Sequence, residues 1–266
     1  MSSTQAIGFF DSGWGGLSIL LAARETLPHE NFYYVADCGY APYGDQTHDY
    51  ILNRARKITD FLLNTQKVKA IVIACNTATA EAAQTLREEN PQAIIIGVEP
   101  AIKPAISHSQ KHRIGVIATD RTIASARYQE LLARYAQDCV VHSQGCPGLM
   151  ECVEKGELNT ASTRALLSQY LGSMRDDGID TLVLGCTHYP FLAEAIQETM
   201  GYPIELMEPG AAVSRYLKNR LLDQNLLTDS MEKGFDRFYV SDLNEARKTV
   251  AQRLYPCATH FEPLPI

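Results

Sequence analysis

Along the whole chain, short runs of β-branched and aliphatic residues alternate with longer stretches of helical period. Nothing else restricts the fold so strongly, because strands separated by helices join as βαβ units, and these build a parallel sheet. The strand candidates are Ile7–Phe10, Phe32–Ala36, Ala70–Ala74, Ala93–Val98, Arg113–Ala118, Cys139–Ser143, Thr181–Leu184, Ile204–Met207 and Phe238–Ser241. Helices are expected between them, for example over Tyr50–Leu63, Ala78–Glu89, Ser125–Tyr135, Thr160–Asp176 and Gly210–Gln224. The chain reads as α/β with mainly parallel sheets, and no linker or low-complexity tract interrupts it.

A weak internal repeat adds organisation. Ile7-Gly8-Phe9-Phe10-Asp11-Ser12 is echoed by Ile114-Gly115-Val116-Ile117-Ala118-Thr119, an offset of 107 (114 minus 7). Ile71-Val72-Ile73-Ala74-Cys75-Asn76-Thr77 is echoed by Leu182-Val183-Leu184-Gly185-Cys186-Thr187-His188, an offset of 111 (186 minus 75). Apolar strands resemble one another by chance, but here the echo includes the polar residues after each strand, at the carboxyl ends where parallel sheets bind ligands. Two similar α/β domains are expected, related by a pseudo-two-fold duplication, with the active site in the cleft between them. The first would hold residues 1–98 plus 209–266, since the strand at Phe238–Ser241 follows the end of the second copy. The second would hold residues 99–208.

The two echoed cysteines are the sharpest chemical signal. Cys75 and Cys186 each end a buried strand and lead into a helix start, Asn76-Thr77 after the first and Thr187-His188-Tyr189-Pro190 after the second. The free N–H groups and dipole of a helix N-terminus favour a thiolate. A lone cysteine there is usually a small buried hydrophobe; two in one duplicated setting suggest a matched pair that removes a proton from one face of a substrate carbon and returns one to the other. Cys38, Cys139, Cys146, Cys152 and Cys257 lack the double context and are assigned to ordinary packing. His188 is a candidate proton partner for Cys186, against the alternative of a packed or capping histidine.

Several function classes are excluded by composition. A net charge of −7, with no run of lysines or arginines, does not suit a nucleic acid or an anionic membrane. No apolar run approaches the roughly 18 residues of a membrane span, and no basic flank marks the start, so the expected location is cytoplasmic. Seven cysteines without a Cys-x-x-Cys pair fit neither a disulfide framework nor a four-ligand zinc site. No lysine stands in a pyridoxal phosphate context. Neither a metal nor an organic cofactor is expected.

Asp11-Ser12-Gly13-Trp14-Gly15-Gly16-Leu17 follows the first strand and resembles a dinucleotide turn, with Asp37 where a ribose-binding acid would stand. The fingerprint fails at Ser18, which replaces its third glycine, and Asp11 would point a carboxylate at the phosphate. The glycines are better explained as a tight turn that brings backbone close to a small ligand, with Asp11 as a charge or base beside a thiol and Ser12 as a nearby hydroxyl.

Four blocks then resemble the glutamate racemases, the cofactor-independent branch of the aspartate/glutamate racemase superfamily that makes D-glutamate for bacterial cell walls. They are Asp11-Ser12-Gly13-x-Gly15-Gly16-Leu17, Ala41-Pro42-Tyr43-Gly44, Ala74-Cys75-Asn76-Thr77-Ala78-Thr79-Ala80 and Leu184-Gly185-Cys186-Thr187-His188-Tyr189-Pro190, in the family's order. The resemblance implies Cys75 and Cys186 as the acid/base pair, assisted by Asp11, Glu154 and His188. It implies a glutamate site made by Asp11, Ser12, Tyr43, Gly44, Asn76, Thr77, Thr119, Thr187 and His188, with Thr122 nearby, and a homodimer. Trp14 stands where the family has a small apolar residue and is expected to alter the site's mouth; Ala118 stands where a glycine is common. The segment before the first strand is short, so control by a cell-wall precursor is not expected. The rival readings are an aspartate or hydantoin racemase, a non-catalytic amino-acid-binding protein, and a dinucleotide enzyme, whose NAD binding Asp37→Ala would weaken.

Overall fold

A computed structural model describes residues 2–266. Among the described residues there are ten strands, the first nine on the predicted apolar runs: β1 Ile7–Asp11, β2 Phe32–Ala36, β3 Ala70–Ile73, β4 Ile94–Gly97, β5 Arg113–Ala118, β6 Val140–Gly145, β7 Thr181–Leu184, β8 Glu205–Met207, β9 Asp236–Val240 and β10 Phe261–Pro263. The last carries no apolar run that would announce it: Phe261 is half-buried, and Glu262 and Pro263 are exposed. The helices are α1 Leu17–Thr26, α2 His48–Asp60, α3 Asn76–Glu89, α4 Ile102–His108, α5 Asp120–Ala124, α6 Ala126–Tyr135, α7 Leu149–Glu154, α8 Ala161–Asp176, α9 Ala193–Met200, α10 Gly210–Asp223 and α11 Glu245–Leu254. Side-chain caps set several starts: Thr47, Ser125, Thr160 and Asn244 each accept the N–H three residues on.

The strands form two sheets, ordered β10-β9-β2-β1-β3-β4 and β6-β5-β7-β8, and every pairing among the described residues is parallel. The order β2-β1-β3-β4 recurs as β6-β5-β7-β8. Register recurs as well: Gly8 pairs Ile71 in the first sheet and Gly115 pairs Leu182 in the second, which are the same pairs displaced by the two sequence offsets, 107 and 111. β9 and β10 extend the first sheet beyond β2, so the chain's last segment returns to its first unit. In both sheets the chain steps to opposite sides of the first strand, so the switch point lies between β1 and β3, and between β5 and β7. Asp11 and Cys75 flank one such point; Thr119 and Cys186 flank the other.

The largest apolar cluster is continuous between the units. It runs from Ile7, Phe9 and Tyr34 through Trp14 and Leu17 to Tyr189, Leu192 and Leu184. Trp14 is therefore not at a mouth. It is fully buried and stacks on Tyr34 with centroids 6.3 Å apart, because the turn directs this side chain under the sheet while its backbone faces the site.

Two buried ion pairs tie loops to the first sheet. Arg54 grips Asp37 through two bonds of 2.9 and 2.8 Å, and Tyr43 adds its hydroxyl at 2.6 Å. Asp37 is thus fully occupied, which removes the last support for a ribose-binding acid. Lys69, wholly buried, pairs with Glu30 at 2.5 Å and donates to the Ser3 carbonyl, while Glu30 accepts the N–H of Thr228. Breaking such a pair leaves a buried charge alone, so Lys69→Met is expected to cost about 3–5 kcal/mol. Urea unfolding checks this, and Glu30→Gln added to Lys69→Met should recover part of the loss.

Candidate active site

One cavity of about 670 Å³, counting its opening to solvent, contains both thiols. Its wall includes Ser12, Tyr43, Gly44, Cys75, Asn76 and Thr77 from the first unit and Thr119, Cys186, Thr187 and His188 from the second. Asp11 and Glu154 are not part of the wall; each stands behind a thiol or its partner. Tyr43 contributes its ring but commits its hydroxyl to Asp37.

The two thiols have different local settings. Cys75 is itself the N-cap of α3, and its sulfur accepts the Ala78 N–H at 3.4 Å. Burial pushes the Cys75 thiol well above the ordinary range, the Asp11 carboxylate pushes the same way, and the Ala78 N–H works against both. The expectation that the helix end favours a thiolate is thus outweighed, because desolvation of the charged form is the larger effect. Asp11 accepts N–H groups from Ser12 at 2.8 Å and Gly16 at 2.7 Å. Its carboxyl is raised above the usual range by burial, with the His188 charge opposing.

Cys186 has no α-helix behind it. The chain winds instead into a 3-10 turn, Tyr189–Leu192, before α9 begins. Its sulfur lies 3.6 Å from His188 Nδ1, and His188 Nε2 lies 2.7 Å from Glu154. Burial alone would lower the His188 imidazolium, but the bonds to Cys186 and Glu154 outweigh it and hold the ring well above its ordinary 6.5. The histidine side chain therefore faces the thiol and carboxylate rather than capping a helix.

The glycine turn explains the tightness of this arrangement. Trp14 N–H donates to Glu154 at 2.6 Å, and Gly15 N–H lies 3.1 Å from His188 Nε2. A Cβ on Gly13 would overlap Glu154, and one on Gly15 would overlap the imidazole. Nε2 cannot serve Gly15 and Glu154 together: protonated, it donates to Glu154; unprotonated, it accepts from Gly15. Loss of the Nε2 proton would thus exchange Glu154 for Gly15 across the cleft, whereas loss of the Nδ1 proton leaves the Glu154 bond in place.

Neutral donors line part of the remaining wall, beside the carboxyls of Asp45, Asp120 and Glu151. Thr77 and Thr119, from opposite units, meet at 3.1 Å, and Thr122 joins at 3.0 Å from Thr119, which also caps α5. Both polar atoms of the Asn76 amide are buried without a partner among the described residues, so this side chain is available to a ligand. No lysine or arginine reaches the wall. Sequence reading missed Asp45, Asp120, Cys146, Met150, Glu151 and Tyr189, which also line it. Tyr189 was visible in its motif; Asp120 begins α5, Met150 and Glu151 lie in α7, and Asp45 and Cys146 lie in turns, none within a motif that marks them as site residues. Among the described residues no group of three His, Cys, Asp or Glu is placed to hold a metal ion.

A duplicated parallel α/β scaffold with one thiol per unit on a shared cavity defines the class, and the chain belongs to the Asp/Glu/hydantoin racemase family, whose model matches residues 20–216. Within it, the chain is 46% identical to the glutamate racemase of Pseudomonas paraeruginosa, over 94% of this chain and 93% of that one. The glutamate racemase of Francisella tularensis in complex with D-glutamate superposes with a TM-score of 0.86 at 31% identity, covering 98% of both chains. That of Escherichia coli, in complex with L-glutamate and an activator, UDP-MurNAc-ala, gives 0.86 at 28% identity, again over 98% of both.

The raised His188 yields a test. Its protonation favours the folded state fully below about pH 6.5, and that contribution is lost as pH rises through the higher folded value. Imidazole 15N NMR is expected to show a charged ring above pH 6.5, and Glu154→Gln should bring the midpoint down. An unmoved midpoint would mean that Glu154 does not hold the proton.

Proposed function

We propose that the chain interconverts L- and D-glutamate without a cofactor, by proton transfer at Cα between Cys75 and Cys186, and so supplies D-glutamate for peptidoglycan. The observation that carries this reading is the pair of thiols at equivalent points of two register-matched sheets, sharing one cavity. The substrate is supported by the relatives, one neighbour being described with D-glutamate and another with L-glutamate.

Racemisation needs a base on one face of Cα and an acid on the other. In one direction Asp11, whose carboxyl is raised by burial, takes the Cys75 proton, and the resulting thiolate removes the Cα proton. Cys186 protonates the opposite face and is resupplied by the His188 Nδ1 proton, with Glu154 stabilising the ring. The reverse direction exchanges the roles. Charge developing on the substrate carboxylate meets preorganised neutral donors, Asn76, Thr77 and Thr187 with Ser12 and Thr119, in a cleft that closure would shut off from bulk water. Segments 1–98 and 209–266 would move together against 99–208 to close it. A homodimer in the cytoplasm goes with the same reading, and sedimentation equilibrium is expected to return twice the chain mass.

With L-glutamate in D2O and no additive, the protein is expected to incorporate deuterium at Cα while optical rotation decays to zero. Cys75→Ser and Cys186→Ser should each lose on the order of 10²–10⁴-fold in racemisation; a folded parent that leaves both signals unchanged sinks the proposal. The same assay on aspartate and a hydantoin separates the sibling activities, and binding of glutamate without exchange would favour a non-catalytic protein.

A further inference from the structure

The turn that carries Cys186 contains one carbonyl that its own segment cannot satisfy. The Cys186 carbonyl accepts the Tyr189 N–H at 3.1 Å, and the His188 carbonyl accepts the Phe191 N–H at 3.2 Å. By the same three-residue pattern the Thr187 carbonyl, between them, would take the N–H of residue 190. That residue is Pro190, which has none. Thr187 is buried, and a buried carbonyl without a donor is strongly disfavoured.

The donor comes from the opposite unit. Ser18, in the first turn of α1 and itself buried, places its Oγ 2.8 Å from the Thr187 carbonyl. The same Oγ lies 2.9 Å from the Gly15 carbonyl, but that group already accepts the Ser18 N–H at 3.0 Å. The single hydroxyl proton therefore goes to the carbonyl that has no other donor. Ser18 is also the residue that breaks the dinucleotide fingerprint, and a glycine there would have no hydroxyl to offer.

We infer that Ser18 is a positioning residue for proton transfer at Cys186, fixing the turn Cys186-Thr187-His188 from across the cleft through the Thr187 carbonyl. It touches neither the substrate nor the sulfur, and the inference rests on the reading of Cys186 as one of the two proton carriers. Without the hydroxyl, the Thr187 peptide is free to turn toward another donor. That motion displaces its neighbours on either side, whose Sγ and Nδ1 stand 3.6 Å apart. Cys75, held by α3 in the first unit, keeps its geometry, so the defect is one-sided.

The test uses the full chain and glutamate deuterated at Cα. Ser18→Ala is expected to lower kcat/KM by roughly 10-fold for both enantiomers, which must fall together because they interconvert with an equilibrium constant of about one. The deuterium isotope effect on kcat/KM should rise for the enantiomer whose proton leaves to Cys186 and fall for the other; a general loosening of the protein would not split them. Pro190→Ala restores an N–H to the turn, so Ser18→Ala with Pro190→Ala should regain part of what Ser18→Ala loses. An unimpaired Ser18→Ala, isotope effects that move together, or no recovery in the double variant overturns the inference. If Ser18→Ala alone does not fold, the comparison is between Pro190→Ala and the double variant: loss of the hydroxyl should then be nearly silent, and a tenfold further drop refutes the role. A parent without Cα exchange sinks the function itself, whereas an active parent with an unimpaired Ser18→Ala sinks only the role of Ser18.

Discussion

Parallel pairing in a repeated register is the constraint on which the site depends. β1 with β3, and β5 with β7, run in one direction and in matching alignment, so the residues beyond their carboxyl ends emerge together at a switch point where helices leave on opposite sides. A thiol two residues past β3 has its counterpart two residues past β7. No side-chain interaction has to bring the cysteines into one cavity; the hydrogen-bond ladders do it, and burial of both sheet faces keeps the ladders in register.

What the duplication makes alike, the surroundings make unlike. Cys75 sits at a helix end beside a buried carboxylate, and desolvation keeps its proton on. Cys186 lacks that helix and faces an imidazole whose charge is sustained by the bonds to Cys186 itself and to Glu154. The turn from Asp11 to Leu17 is the element that both environments share. Its first residue stands beside Cys75, while the N–H groups of Trp14 and Gly15 point at Glu154 and His188. Glycine is required there for a steric reason, since any Cβ would occupy the space of the groups that the backbone addresses.

Burial is also what makes neutral donors sufficient. A cavity without lysine or arginine avoids pinning a substrate carboxylate so firmly that ground state and transition state are stabilised alike. Hydroxyls fixed by a cap and by mutual bonds, with an unpartnered amide beside them, are worth more in such a place than in water.

Local patterns in the sequence determined the α/β class, nine of the ten strands, the repeat, and the two cysteines with their flanking polar residues, because periodicity and motif spacing are properties of contiguous residues. Tertiary structure alone decided the rest. Trp14 lies next to the site in sequence yet packs beneath the sheet, since adjacent residues of a turn point in opposite directions. Asp37, plausible as a ligand by position, is consumed by Arg54 and Tyr43. β10 forms only because β9 offers it an edge. The protonation preference of Cys75 follows from how much water the fold excludes, and the link from Ser18 to Thr187 joins residues 169 positions apart. Each of these depends on desolvation or on a contact between distant segments, and a contiguous stretch of sequence encodes neither.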